Sequence, residues 1–399
     1  MKFPTYHIMF LFLLIAQSVL GQHGLSTERL QRYDQFINNE VANGNIAGAV
    51  SIVVRKGEVA HYKSFGKENI QADQPMTKEH LFFIQSMTKP IISVAIMMLY
   101  EEGHFFLDDP VHQYIPEFKN LKVSLDPEVG LDAGSEALKT PVTIRQLLCH
   151  TAGFSHGLGK SKLDEAYEKA MYYENHQTIQ DRVYRMLELP LVSQPGSQWI
   201  YGASADVLSV LIEEFSGQTT DEFLKKRIFE PLGMMDTGYN LKDTQLSRVA
   251  TVHEFDENGV LKPKKNQPTN QGNTIWSGSY GLFSTAGDYM KFCRMLLNNG
   301  KWNGKRLLSR KTVELMTVNH VGGLYGDQGF GLGFAIITNL AESQELGSEG
   351  RYYWGGYFRT HFFIDPKEQL IAIIMIQIDP YSDYYKKKMQ QFIYQAIED

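Results

Sequence analysis

Two side chains that can do chemistry together stand three positions apart at Ser86-Met87-Thr88-Lys89. A serine hydroxyl is a poor nucleophile until a base takes its proton, and a neutral lysine can be that base. On a helix, residues i and i+3 share a face, with Cβ atoms about 5–6 Å apart. A helix N-terminus and an apolar cleft both disfavour an added positive charge and so favour the neutral amine. The same N-terminus helps to stabilise an oxyanion. The context suits this pair: Leu81 to Ile84 is an apolar lead-in, and Ser86 to Glu102 reads as a long, mostly apolar helix ended by Gly103. Taken alone the signal is weak, since about one or two Ser-x-x-Lys pairs arise by chance in a chain of this length. The other copy, Ser64 with Lys67, falls at a predicted strand end, where i and i+3 point to opposite faces.

Three further motifs carry candidate chemistry. Gly153-Phe154-Ser155-His156-Gly157 matches the Gly-x-Ser-x-Gly nucleophile elbow, which must follow a buried strand. Here Ile144 to Leu148 has helical spacing and Ser161 to Glu168 is polar, so the match reads as incidental. It still defines a rival, an α/β-hydrolase using Ser155. Trp199-Ile200-Tyr201-Gly202-Ala203-Ser204 follows Pro195-Gly196 and precedes a helix. A tyrosine at such a junction either packs as an ordinary aromatic or relays protons beside a lysine. Trp354-Gly355-Gly356-Tyr357 leads into a predicted strand, where paired glycines allow close backbone approach of a ligand and an N–H can complete an oxyanion hole. The other reading of that motif is a simple turn. There is no His-Glu-x-x-His, no Walker-type loop and no dinucleotide fingerprint after a strand, and His150 and His156 lack an acidic ligand set, so no metal site is expected.

The elements that must position these residues follow from periodicity. Ser26 to Asn43 reads as a helix capped by Ser26 and ended by Gly44. Ala49 to Val54 and Val59 to Phe65 read as a hairpin around Lys56-Gly57. From about Asp108 to Asn273, helical stretches (Arg182 to Leu189, Ala205 to Phe215, Thr220 to Ile228) alternate with Gly-, Pro- and Asn-rich loops, and Glu254 to Asn273 reads as an exposed polar excursion. Asp288 to Asn298 is an amphipathic helix. Gly331 to Thr338, Tyr357 to Ile364 and Leu370 to Gln377 read as strands, and Tyr384 to Ile397 as a closing helix. The expectation is an α+β fold, one antiparallel sheet built from both termini and flanked by helices, with a mainly helical region inserted. The predicted divisions are 22–107 with 275–399 for the sheet part and 108–274 for the insertion. A cleft between two such parts is a usual place for a site.

Composition bounds the function. Of 399 residues, 43% are hydrophobic and 21% charged, as in a soluble globule. The net charge of −6 gives no electrostatic reason for nucleic-acid binding. The densest basic run, Lys386 to Lys388, reads as a solvated helix face. Lys2, the apolar run Ile8 to Ala16 and the small residues Ser18 and Gly21 read as a secretory signal peptide over residues 1–21, too short to span a bilayer comfortably. The expected protein is therefore exported, periplasmic or secreted, with no stable membrane insertion after cleavage. Cys149 and Cys293 are the only cysteines, and both read as buried thiols.

Taken together these blocks resemble the serine β-lactamase and penicillin-binding superfamily, and within it the class C-like and esterase branch. Ser86-Met87-Thr88-Lys89 matches the first motif. Leu147-Leu148-Cys149-His150-Thr151-Ala152-Gly153 resembles the Leu-Leu-x-His-Thr-Ser-Gly loop, and Pro195-Gly196 with Tyr201 and Asp206-Val207-Leu208 resembles the tyrosine motif. Pro231-Leu232-Gly233-Met234 and Gly281-Leu282-Phe283-Ser284-Thr285-Ala286 are further blocks in the family order, and the resemblance covers Gly48 to Gln377.

The resemblance implies that Ser86 is the acylated nucleophile, that Lys89 and Tyr201 share the proton transfers, and that the backbone N–H groups of Ser86 and Tyr357 form the oxyanion hole. It places Trp354, Gly355 and Gly356 along the substrate. Two departures matter. Ala203 replaces the Asn of Tyr-x-Asn, which removes an amide for an acylamino group. Trp354-Gly355-Gly356 replaces Lys-Thr-Gly or His-x-Gly, as in the esterase branch, which removes a cation for a carboxylate. Arg359 stands where esterase-like members usually have Gly; it either restores carboxylate recognition or serves a structural role, and the structural role is favoured. The expected activity is a serine hydrolase acting through a Ser86 acyl-enzyme on small-molecule esters, with amides as a second class, and without cofactor. The alternatives are a β-lactamase or D-alanyl peptidase, an acyltransferase, and a catalytically silent binding protein.

Overall fold

The structure is a computed structural model that describes residues 22–399. The signal peptide expected over residues 1–21 lies outside the described residues. Eight strands form one antiparallel sheet: β1 (Gly48–Arg55), β2 (Glu58–Asn69), β3 (Gln74–Pro75), β4 (Gly329–Phe330), β5 (Ala335–Ile336), β6 (Tyr352–Gly356), β7 (Thr360–Asp365) and β8 (Leu370–Met375). Their spatial order is β4-β5-β6-β7-β8-β1-β2-β3, so both ends of the chain build the sheet and β1 joins β8 at its centre. Every residue of β1, β7 and β8 is buried, which explains why these strands read as near-continuous apolar runs rather than alternating ones. The β1–β2 hairpin turns on Lys56 and Gly57, both at positive φ (49° and 82°), a backbone hand that matches the twist of paired strands.

Helices cover both faces. Adjacent residues of a strand point to opposite sides, and β7 shows where each goes. Phe362 meets Tyr289 of α5 (Ala286–Leu297) at 5.1 Å between ring centroids, while Phe363 stacks on Tyr394 of α6 (Tyr384–Tyr394) at 5.4 Å. With α6 packs α1 (Thr27–Ala42), through Phe36 on Phe392. The Ser26 hydroxyl caps α1 by accepting from the Arg29 N–H. The helix α2 (Thr88–Glu101) is buried from Thr88 to Leu99 and packs against α4 (Ser204–Ser216), which in turn meets α3 (Ile179–Leu187). Such all-round burial is why α2 is apolar on every side. Among the described residues no helix is long and apolar enough to cross a membrane.

The structure departs from the sequence reading at several places. Gly331 to Thr338 is not one strand: the chain reverses between β4 and β5, with Gly331 N–H donating to the Phe334 carbonyl. Trp354-Gly355-Gly356 ends a strand instead of opening one, and the turn 357–359 joins it to β7. The polar stretch after Glu254 is partly anchored, because Leu261–Pro263 pairs with His253–Phe255, and His253–Glu254 pairs in parallel with Ile378–Asp379. Lys386 does not belong to a uniformly solvated face; its side chain is only 12% exposed and lines the large cleft described below.

Candidate active site

A cleft of about 980 Å³ is lined by residues from the sheet and from the helical region, Ser86, Lys89, Tyr201, Trp354, Gly355, Gly356 and Tyr357 among them. Ser86 sits in a tight turn, Gln85–Met87, immediately before α2. The preceding Gln85 is in the left-handed region at φ 48°, where a residue with a side chain costs about 1–2 kcal/mol. The turn is held on three sides. The Ile84 N–H donates to the Leu282 carbonyl at 3.0 Å, the Tyr289 hydroxyl donates to the Met87 carbonyl at 3.0 Å, and the end of β6 abuts Ile84.

Lys89, one helical turn on, is buried and donates from Nζ to Ser86 Oγ at 3.3 Å and to the Ser279 carbonyl at 2.8 Å. The Ser279 carbonyl is itself positioned by a buried network. Asp206 Oδ1 accepts from the Ser279 N–H at 2.9 Å and from Ser277 Oγ at 2.6 Å, while Asp206 Oδ2 pairs with Arg182 Nη2 at 2.7 Å. Arg182 Nη1 donates to the Tyr280 hydroxyl at 2.8 Å. Both charged side chains of the pair are almost fully buried, so removing either would leave the other buried without its partner. Thus α3, through Arg182, and α4, through Asp206, fix the acceptor that aims Lys89 Nζ.

Tyr201 completes the cluster, with Lys89 Nζ 4.7 Å from its ring centroid. Its loop is pinned along residues 150–155: Ile200 N–H donates to the His150 carbonyl and Ala203 N–H to the Ser155 carbonyl. Gly202 is required there, because a Cβ would stand 1.9 Å from the Phe154 carbonyl oxygen. The ring of His150 meets Tyr201 edge-on at 5.1 Å and also contacts Trp199, Phe330 and Trp354. Burial, and then the charge of Lys89, hold His150 down to about 3, so it stays a neutral wedge in this aromatic wall.

The glycines of Trp354-Gly355-Gly356 make room for the protein's own atoms. A Cβ on Gly356 would stand 2.3 Å from the Ile84 carbonyl oxygen, and one on Gly355 2.3 Å from Nδ1 of His361. This close approach carries the Tyr357 backbone toward the Ser86 turn. Arg359 does not line the cleft. It adopts φ 66°, its Nε donates to the Pro380 carbonyl at 2.9 Å, and its guanidinium lies over Tyr385 at 5.6 Å. That left-handed backbone accounts for the glycine that esterase-like members usually have at this position.

The other motif residues are placed elsewhere. Ser155 is 2% exposed and outside the cleft lining; its Oγ donates to Asp164 Oδ1 at 2.5 Å and accepts from the Gly157 N–H. A helix, Ile144–Leu148, precedes it where an elbow needs a strand, and Nδ1 of His156 is taken by the Leu158 N–H. Ser64 lies on β2, and Lys67 pairs with Asp73. Cys149 and Cys293 are buried free thiols, and burial pushes Cys149 up to about 12. Nothing in the residue types or their spacing marked Ser279, His361 or Lys386 as residues of the cleft. The Ser277-Gly278-Ser279 run is tightly packed, because a Cβ on Gly278 would stand 1.9 Å from the Ala205 carbonyl oxygen.

The chain is similar to known proteins over most of its length. The beta-lactamase family model matches residues 33–394. Protein Rv1367c of Mycobacterium tuberculosis is 31% identical over 353 residues, covering 84% of this chain and 87% of that protein. Esterase EstB of Burkholderia gladioli is 26% identical, covering 86% of this chain and 89% of that protein. The structure of EstCE1, a hydrolase with promiscuous acyltransferase activity, superposes with a TM-score of 0.78 at 22% identity, over 92% of this chain and 99% of that one.

Proposed function

This chain belongs to the beta-lactamase family, and we propose that within this family of hydrolases it is a serine esterase acting through an acyl-enzyme on Ser86. The observation that carries the reading is Lys89 Nζ held 3.3 Å from Ser86 Oγ beneath the Tyr201 ring, at the base of an aromatic cleft. In the first step Ser86 Oγ attacks the ester carbonyl carbon while its proton passes to the Lys89–Tyr201 pair. The negative charge that develops on the carbonyl oxygen faces the N-terminal end of α2 and the Tyr357 backbone. Collapse of the tetrahedral intermediate breaks the bond to the leaving oxygen, which takes up the proton. Water then adds to the acyl group, gives its proton to the same pair, and the acid leaves as Ser86 regains its hydrogen.

Esters are favoured over β-lactams and D-peptides because no lysine stands at Trp354 and no amide at Ala203. A carboxylate-bearing lactam would therefore lose two contacts of the kind worth about 1–3 kcal/mol each. The similarity to EstB supports the same choice. We propose further that residues 1–21 direct export, which N-terminal sequencing of the protein recovered from its native host would test.

The deciding experiment is labelling of the protein and its Ser86→Ala variant with a fluorophosphonate, with mass mapping of the adduct. Turnover of p-nitrophenyl acetate, p-nitrophenyl butyrate and a chromogenic cephalosporin is followed in parallel. Label on Ser86, with ester turnover lost in the variant and exceeding cephalosporin turnover, is the expected result. Label on Ser155, or a cephalosporin rate above the ester rates, overturns the proposal.

A further inference from the structure

Large apolar side chains left in water are normally scattered singly over a protein surface. Here four of them share the lining of one cleft. Leu158 is 59% and Tyr173 75% exposed on the helical side, and Tyr357 is 39% and Tyr381 45% exposed on the sheet side. The two on each side are held near one another. Gly157 lies so close to the helix Lys162–Glu168 that a Cβ on it would stand 2.5 Å from the Glu168 nitrogen, and the Tyr172 hydroxyl donates to the His156 carbonyl at 3.1 Å. These contacts seat the loop that bears Leu158 against the helical turn Lys169–Tyr173. On the sheet side, Tyr357 and Tyr381 stack at 6.5 Å between ring centroids. None of these four side chains has a part in the acyl-transfer steps above. Their grouping at the mouth of the cleft that holds Ser86 points to a part of the substrate that covers them.

The size and the charges of the cleft say what that part is. A volume of about 980 Å³ stands at the upper end of the ~300–1,000 Å³ typical of sites for drug-sized ligands, so a short ester would leave most of it to water. The charged groups of the lining are engaged with their neighbours. Lys89 donates to Ser86 Oγ and to the Ser279 carbonyl, Lys386 Nζ lies 3.6 Å from Asp383 Oδ1, and Asp379 pairs with Lys264. Glu168, the remaining charged residue of the lining, accepts from the Tyr173 hydroxyl at 3.5 Å. An anionic tail end would meet Glu168 and no unpaired cation among the described residues of the lining. A cationic tail end would meet one carboxylate partly open to solvent, where an ion pair is worth little. An apolar tail covers the exposed side chains and needs no counter-ion, and each methylene it buries fully is worth about fourfold in affinity.

We propose that the mouth of the cleft binds an extended, uncharged apolar chain of the substrate against the side chains of Leu158, Tyr173, Tyr357 and Tyr381, making long-chain apolar esters the preferred class. The inference deepens the ester-cleaving reading and rests on it.

The test uses binding, so that it does not depend on turnover. Methyl butanoate, methyl octanoate, monomethyl suberate and methyl 8-aminooctanoate are titrated into the Ser86→Ala protein, with the fluorescence of Trp199 and Trp354 in the cleft lining as the signal. The last three esters share one chain length and differ in the end group of the chain. The octanoate is expected to bind about tenfold or more tightly than the butanoate, and more tightly than either charged ester. Adding Leu158→Ser and Tyr173→Ser together, both at exposed positions, should remove most of that preference. Equal binding of butanoate and octanoate, no binding by any ester, tightest binding of a charged ester, or a preference undiminished by the two substitutions overturns the proposal. The four-ligand comparison in Ser86→Ala decides the matter even if the doubly substituted mouth does not fold. Fluorophosphonate labelling and turnover of p-nitrophenyl esters by the unsubstituted protein report on the esterase reading separately.

Discussion

Gly356 lies so close to Ile84 that a Cβ on it would stand 2.3 Å from the Ile84 carbonyl oxygen. The same Cβ would stand 2.3 Å from Thr360 Oγ1, so there is no side on which the methyl group could escape. This contact is the seam between the sheet and the turn that presents Ser86. Gly356→Ala must therefore part β6 from residues 84–86. Forced overpacking of this kind costs about 1–3 kcal/mol, and a shift of about 1 Å among reacting groups costs about 10²-fold in rate. The expected result is a lower Tm together with about a 10²-fold loss of kcat/KM on p-nitrophenyl butyrate. A Gly356→Ala protein with unchanged kcat/KM would show that the seam does not set the Ser86 geometry.

Asp206 and Arg182 stabilise the site at one remove from the chemistry. Asp206→Asn keeps the shape but leaves the Arg182 guanidinium buried beside a neutral amide, and breaking a buried pair in this way costs about 3–5 kcal/mol. It also weakens the hold on the Ser279 N–H, and with it the carbonyl that aims Lys89. Urea unfolding should show that loss, and the surviving folded protein should have a reduced kcat. The double variant Arg182→Met/Asp206→Leu should recover part of the stability without recovering kcat. If the single variant were as stable as the parent, the pair would have no such role.

Local signals were the legible ones. The cap at Ser26, the turn at Lys56-Gly57 and the Ser86–Lys89 spacing each depend on a few neighbouring residues, and each was readable in advance. The aromatic strand β6 was missed because its glycine pair resembles a strand's beginning as much as its end. Lys386 was hidden in a run of three lysines, and only the docking of α6 decides which of them faces the cleft. Ser279 contributes a backbone carbonyl, which leaves no mark in the residue type. The role of Arg359 turns on a φ angle that its sequence does not advertise.

Ser155 offers a sharp contrast with Ser86. Its hydroxyl is spent on Asp164 and the Gly157 N–H, and it does not line the cleft. Ser155→Ala should leave ester turnover within about twofold of the parent while costing about 1–3 kcal/mol, because the Gly157 N–H is left without its acceptor. Parallel kinetics and thermal melts check both halves. A loss of turnover out of proportion to the loss of folded protein would return the elbow to consideration.

Acid should unfold this protein through its buried histidines before its carboxylates titrate. His150 and His361 are both held down to about 3 by burial, against an ordinary value of 6.5 in the unfolded chain. Above pH 6.5 both states are neutral and these residues contribute no pH dependence. Below it the unfolded chain takes up protons that the folded state excludes, so stability falls as pH falls, and it continues to fall until about pH 3. Each ring contributes a slope of about 1.4 kcal/mol per pH unit within that window. Between pH 7.5 and pH 5 the two together should remove about 4 kcal/mol, and His61, held down to about 4, adds to the same slope. Urea unfolding at pH 7.5 and pH 5.0 measures the difference, and His361→Phe should shrink it by about 2 kcal/mol. Equal stability at the two pH values would mean that the rings gain protons in the folded state, and the neutral aromatic wall behind Tyr201 would have to be redrawn.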